Sequence, residues 1–306
     1  MRNLLLGAIL LQQPVAPTPV AAPAAAAAPA YIPERVYDTR RRAFADLESM
    51  LADLAKADVV FVGEQHDDPN THQLEAAILD GLRRRGVRVT LSLEMFERDT
   101  QASVNSYLSG GIAETDFLSS SRPWPRYATD YRPLVEMART EGWPVIAANV
   151  PRRFASSVAK TGLAVLDTLG PTERSWVAAD LRCPQDGYFD RFAATMGGHQ
   201  AAGSADDQKK TTERYYFSQC VKDETMAEAI AVGFDQFNRK LVVHVNGAFH
   251  SDFGLGTAER VRRRLNGRRV AVVSVLPVKD LDTLAPAGED LQRADYLLYT
   301  VADTKK

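Results

Sequence analysis

Val59-Val60-Phe61-Val62-Gly63-Glu64-Gln65-His66-Asp67-Asp68 is the stretch on which the fold turns. Its first four residues are apolar without interruption and lie between Asp58 and Gly63. A run with no polar face reads as a strand covered on both sides, the mark of a central strand in a parallel sheet. Downstream, Asn70 followed three residues later by Gln73 suggests a capping box, and Leu74, Ala77, Ile78 and Leu82 recur at helical spacing up to Gly86. Val87 to Leu93 then forms a second apolar strand. The whole unit takes about thirty residues, the length of a strand-helix-strand crossover between parallel neighbours.

Working outward, Val145 to Val150, Leu241 to Val245 and Val270 to Leu276 repeat the pattern, with Tyr296 to Val301 expected at an edge. Between Val150 and Leu241 the chain is helix-like and polar, and Gly197 to Lys210 reads as a loose, mobile stretch. The expectation is an α/β domain over residues 31–306, with a mostly parallel central sheet flanked by helices. A helical insertion at about 151–235 would form a lid.

The ends of the strands carry the chemistry. The first runs into Glu64 and His66, the second into Glu94, the third into Asn149 and the fourth into Asn246-Gly247-Ala248-Phe249-His250. Parallel sheets bind ligands at the carboxyl edge of their strands, so these residues should share one cleft. Gly63 and Gly247 are expected to let the backbone turn sharply there. Glu64, His66, Glu94 and His250 could act as an acid/base set, with Glu64 and His250 as candidate metal ligands. His72 reads as a surface or capping residue, and His244, inside an apolar strand, as a hydrogen-bonded core imidazole. There is no Gly-x-Ser-x-Gly elbow, no HExxH and no phosphate-binding GxxxxGK loop. These absences argue against the common serine hydrolases, zincins and P-loop nucleotidases.

Arg122-Pro123-Trp124-Pro125-Arg126-Tyr127 and Tyr131-Arg132-Pro133 combine flat aromatic side chains with guanidinium groups. A planar apolar ligand with carboxylate ends needs both. Tyrosinate is also an accepted axial ligand of haem iron. The alternative is a proline-punctuated loop that buries its Trp and Tyr in the domain.

The chain has 306 residues, 45% hydrophobic, with a formal net charge of -2. Such a balance provides no field to gather phosphate backbones, so nucleic acid is not an expected partner. Met1-Arg2, the apolar run Leu4 to Leu11 and an Ala/Pro tract ending at Ala30 read as a secretory signal peptide and leader over residues 1–30. The run is far shorter than the roughly 20 residues of a transmembrane helix. No cysteine follows it, so a soluble exported protein is expected rather than a lipid-anchored one. Cys183 and Cys220 fit either one disulfide or two buried thiols.

Six ordered blocks resemble the ChaN-type haem-binding uptake family of the Tiki/TraB superfamily. They are Gly63-Glu64-Gln65-His66-Asp67-Asp68 with His72; Leu93 to Arg98; Trp124 with Tyr131-Arg132-Pro133-Leu134; Ala147 to Arg152; Gln219 with Asp223-Glu224-Thr225-Met226-Ala227; and Asn246 to His250 with Gly254. The resemblance implies an α/β core, export to the cell envelope, and haem bound in dimers in the service of iron uptake. Related branches imply a second reading, a metal-dependent protease- or esterase-like hydrolase working through the Glu/His cleft, so whether the chain is an enzyme stays open. Under the haem reading, Trp124 would sandwich the porphyrin, and Arg122, Arg126 or Arg132 would pair with propionates. Tyr131 or Tyr127 would bind iron on chemical grounds, and His199 stands where relatives place a histidine.

Overall fold

A computed structural model describes residues 32–196, 204–238 and 240–302. The signal-like leader and His199 lie outside the described residues. Strand β3 (Val59–Glu64) is buried at every position and runs two residues beyond its apolar core, so that Glu64 is still part of the sheet. Around it the order is β2 (Ala43–Ala45), β1 (Glu34–Asp38), β8 (Tyr296–Val301), β7 (Val270–Val278), β3, β6 (Leu241–Gly247), β4 (Val89–Glu97) and β5 (Val145–Asn149). All pairings from β8 to β5 are parallel, whereas β1 runs antiparallel to both β8 and β2. The expected α/β architecture with a mostly parallel sheet is therefore the observed one. Tyr296–Val301 is not an edge, because β1 and β2 continue the sheet past it.

Alternation along β3 sorts the core into two layers. Val60 and Val62 pack with Met50 and Leu51 of α1 (Leu47–Leu54) and Ile78 and Leu82 of α2 (Pro69–Arg84). Val59 and Phe61 face the opposite way. Helix α2 starts two residues earlier than the capping box suggested: Asp68 is the N-cap, accepting from Thr71 N at 2.9 Å, with Pro69 in the first helical position. Asn70 instead donates to Val301 O at 2.7 Å.

Helices α3 (Gln101–Leu108), α4 (Glu114–Ser121) and α5 (Arg132–Glu141) connect β4 to β5. Gln101 lies along β5, donating from Nε2 to Val145 O at 2.8 Å and accepting from Ala147 N at 2.7 Å.

Between β5 and β6 come α6 (Arg152–Thr161), α7 (Pro171–Arg174), α8 (Gly187–Met196) and the long α9 (Ala205–Gln236), followed after β6 by α10 (Gly256–Arg264). Ala205 to Lys210, expected to be loose, is the start of α9, capped by Ser204. The insertion does more than cover a cleft. Ala227, Ile230 and Phe234 of α9 join Ala258 and Val261 of α10 against Val59 and Phe61, forming the second helical layer. Cys183 and Cys220 form a disulfide that ties the segment leading into α8 to α9. Buried Glu224 of α9 binds Arg263 at 2.7 Å and Arg264 at 2.5 Å, locking α10 alongside. No helix among the described residues is long and apolar enough to cross a membrane.

Candidate ligand-binding site

Because β3, β6, β4 and β5 are parallel, their carboxyl ends open on the same edge of the sheet. Glu64 of β3 stands opposite Gly247 of β6, and the β4–β5 register shifts between Leu93 and Glu97. Such an irregularity bends the strand locally and re-aims side chains. Glu64, His66, Glu94 and His250 line one cavity of about 880 Å³. Asn149 lines it too, and its Nδ2 donates to Glu94 O at 3.1 Å. The glycines serve proximity rather than a turn, since neither has positive φ. A Cβ on Gly63 would come within 3.0 Å of Ala248 Cα, and one on Gly247 within 2.7 Å of His66 Nε2.

His250 lies in a chain of buried polar groups. Its Nδ1 donates to Asp223 Oδ1 at 2.7 Å, and its Nε2 lies 3.3 Å from Glu94 Oε1. Asp223 also accepts from Thr257 Oγ1 at 2.8 Å and Tyr188 OH at 2.9 Å, while Glu94 Oε2 accepts from Gly247 N at 2.8 Å. Burial alone would lower the imidazole pKa, but the charges of Glu94 and Asp223 outweigh it and push it up to about 10. For Asp223, burial favours the neutral acid, and the positive His250 reverses that, holding the carboxyl below its ordinary range. Glu94 is held down in the same way. His250 is thus an imidazolium clamped between two carboxylates. His250 is therefore engaged by Asp223 and Glu94, while Glu64, the other expected metal ligand, bonds to His66 and Tyr131.

Glu64 belongs to a different group. His66 Nδ1 donates to Glu64 Oε1 in a very short contact, and Tyr131 OH donates to the same oxygen at 2.8 Å. The His66 side chain is 46% exposed, and its Nε2 has no partner among the described residues. Partial burial opposes charge on this ring, but the bond to Glu64 prevails and raises its pKa. His72 is no surface residue. It is 3% exposed, packed edge-on to Tyr131, and placed between Glu64, Glu75 and Asp130. His244 is the core imidazole that its setting suggested, bonded to Ser92 Oγ at 2.9 Å, with burial lowering its pKa to about 3.

Of the aromatic and basic residues expected to hold a planar ligand, Trp124 lines the cavity, edge-on to His66 at 4.9 Å between centroids. The others are engaged elsewhere. Tyr127 is buried among Phe96 and Phe117, and burial raises its phenol pKa. Burial and then the Glu64 charge raise that of Tyr131 further. Neither tyrosine lines the cavity, and Tyr131 OH is bonded to Glu64 Oε1. Arg122 binds Glu97 and Asp99, Arg126 binds Asp130, and Arg132 binds Glu114. The cavity's unpaired cations are instead Arg152 and Lys222, neither of which forms an ion pair among the described residues. With Tyr188, Phe192 and Gln219, both come from the insertion, where polar residues on a helical pattern look like a solvated face.

The model of the haem-binding uptake family, ChaN, of the Tiki superfamily matches residues 50–261. The chain belongs to this family. Among solved structures, this ChaN-family chain resembles ChaN of Campylobacter jejuni, described as binding haem cofacially, with a TM-score of 0.66 and 17% identity over 87% of this chain and 96% of that one. At such identity the likeness establishes the fold. A succinoglycan biosynthesis protein (TM-score 0.49, 10% identity, 84% of this chain and 90% of that one) and the erythromycin esterase EreC (TM-score 0.44, 12% identity, 89% and 83%) are more distant. No curated protein matches the sequence.

Proposed function

We propose that this ChaN-family protein binds haem in the strand-end cavity, as an exported component of iron or haem uptake. The observation that carries the reading is His66, which faces the cavity with Nδ1–H held by buried Glu64 and with Nε2 unpartnered. A carboxylate in that position fixes the tautomer and raises the basicity of a metal-binding imidazole, and histidine is a common axial ligand of haem iron. Trp124, Phe192 and Phe249 supply flat apolar surface around it, and Arg152 and Lys222 supply cations for two propionates. The cavity lies at the large end of the roughly 300–1,000 Å³ range of small-molecule sites. Haem is cargo in this reading, and its iron provides the bond that His66 completes. Export is supported by the Cys183–Cys220 disulfide, since such bonds persist in oxidising compartments.

Titration of the purified protein with ferric haem should give a saturable Soret shift. His66→Ala should weaken binding at least about tenfold and change the Soret position, as expected when an iron ligand is lost. Arg152→Ala with Lys222→Ala should weaken binding without moving the band, and Tyr131→Phe should leave the band in place. A flat titration, or a His66→Ala spectrum identical to that of the unaltered protein, overturns the proposal.

A further inference from the structure

Only one oxygen of Glu64 is used by His66 and Tyr131. The other, Oε2, faces a buried group on α2. There, His72 Nε2 lies 3.1 Å from the carbonyl oxygen of His66 and 3.3 Å from Asp130 Oδ2. A carbonyl can only accept, so Nε2 carries the proton, and in the neutral ring Nδ1 is the lone-pair nitrogen. That nitrogen points at two further acceptors, Glu75 Oε2 at 3.2 Å and Glu64 Oε2 at 3.6 Å. Glu64 Oε2 and Glu75 Oε1 have no hydrogen-bond donor, and both side chains are fully buried. Acceptors gathered in a dry site with nothing between them are costly. A positive charge between them, whether a shared proton or a bound ion, relieves that cost.

We propose that Glu64, His72 and Glu75 form a site for one divalent transition-metal ion, with zinc the best match. One ligand atom from each residue lies within 4.8 Å of the others. Donors about 2.0–2.2 Å from a tetrahedral zinc ion stand roughly 3.3–3.6 Å apart, and the two separations from His72 Nδ1 are 3.2 and 3.6 Å. One imidazole nitrogen with two carboxylate oxygens suits zinc and its first-row neighbours better than calcium or magnesium. The His66 carbonyl and Asp130 supply the outer support that orients a ligating imidazole. Glu64 also lines the cavity, which gives the ion a route in. The site shares only Glu64 with the haem reading, through its other oxygen, and His72 and Glu75 do not line the cavity.

The test uses the full chain, stripped with a chelator and titrated with zinc and cobalt(II). One zinc per chain should survive desalting and raise the melting temperature, and cobalt should give the intense visible bands of a four-coordinate site. Glu75→Gln and His72→Asn should each weaken binding about 100-fold or more, while Glu114→Gln on the surface should leave it unchanged. Absence of saturable binding, or binding indifferent to Glu75→Gln and His72→Asn, overturns the proposal and leaves shared protons to neutralise the cluster. Should both variants fail to fold, the cobalt spectrum of the unaltered protein decides, a weak octahedral spectrum counting against the site. Haem titration in parallel separates the two proposals, since either can fail while the other stands.

Discussion

A methyl group separates two outcomes at the paired glycines of the site. At position 247 the added carbon would meet the end of the His66 ring, which can swing aside. Gly247→Ala is therefore expected to keep the fold and to weaken haem binding about tenfold by displacing the imidazole, as judged by titration beside thermal melting. At position 63 the carbon would meet backbone, Ala248 Cα, which cannot yield without moving the turn after β6. Gly63→Ala should cost roughly 1–3 kcal/mol in denaturant unfolding, the range of an overpacked interior. An equal loss of stability at the two positions would contradict this distinction. Both residues are glycine for the space they leave, and their φ angles are ones that any residue adopts.

Among elements, α8 depends most on one covalent tie. It presents Tyr188, Arg191 and Phe192 to the cavity, and the Cys183–Cys220 bridge fastens the segment before it to α9. Closing a loop of 37 residues contributes about 3–4 kcal/mol in the chain-entropy model. Replacing both cysteines with serine should lower the melting temperature by roughly 5 °C for a chain of this size. It should also loosen Tyr188 from Asp223 and so weaken ligand capture, whereas reductant added to the double variant should change nothing further. An unaltered melting temperature would show that packing of α8 on α9 suffices.

Over the whole molecule, the His250 chain dictates a pH profile. The imidazole pKa is raised from its ordinary value near 6.5 to about 10, so its contribution is complete below about pH 6.5 and disappears as pH climbs through 10. Asp223 and Glu94 are shifted down, so theirs is present above the ordinary carboxylate range and is lost on acidification. Melting temperature should hold level from about pH 5 to 6.5 and decline toward pH 10, with on the order of a few kcal/mol at stake. His250→Gln should flatten the alkaline decline, and a decline of the same size in that variant would remove His250 as its source. The strands were legible because uninterrupted apolar runs have few other uses, and four polar strand ends could be assigned to one edge once the sheet was parallel. Glu34 to Asp38 mixes charge with apolar residues and concealed β1, which made β8 look like a margin. Glu75 and Tyr188 were missed, His72 reads from sequence as a surface or capping residue, and Asp223 was given no role, because all four sit on helices, where polar side chains usually mean solvent. The spacing His72-x-x-Glu75, one helical turn, was the available clue.

The amide of Gln101 bonded along β5, together with a β2 of only three residues, bears on how copies of the protein can associate. Each lateral boundary of the sheet is blunted, one by a side chain that imitates a neighbouring strand and the other by sheer brevity. Polymerisation through intermolecular strand addition is disfavoured at both ends. Chains crowded together at high concentration would meet through their side-chain surfaces, and remain dispersed where open sheet margins would seed fibres.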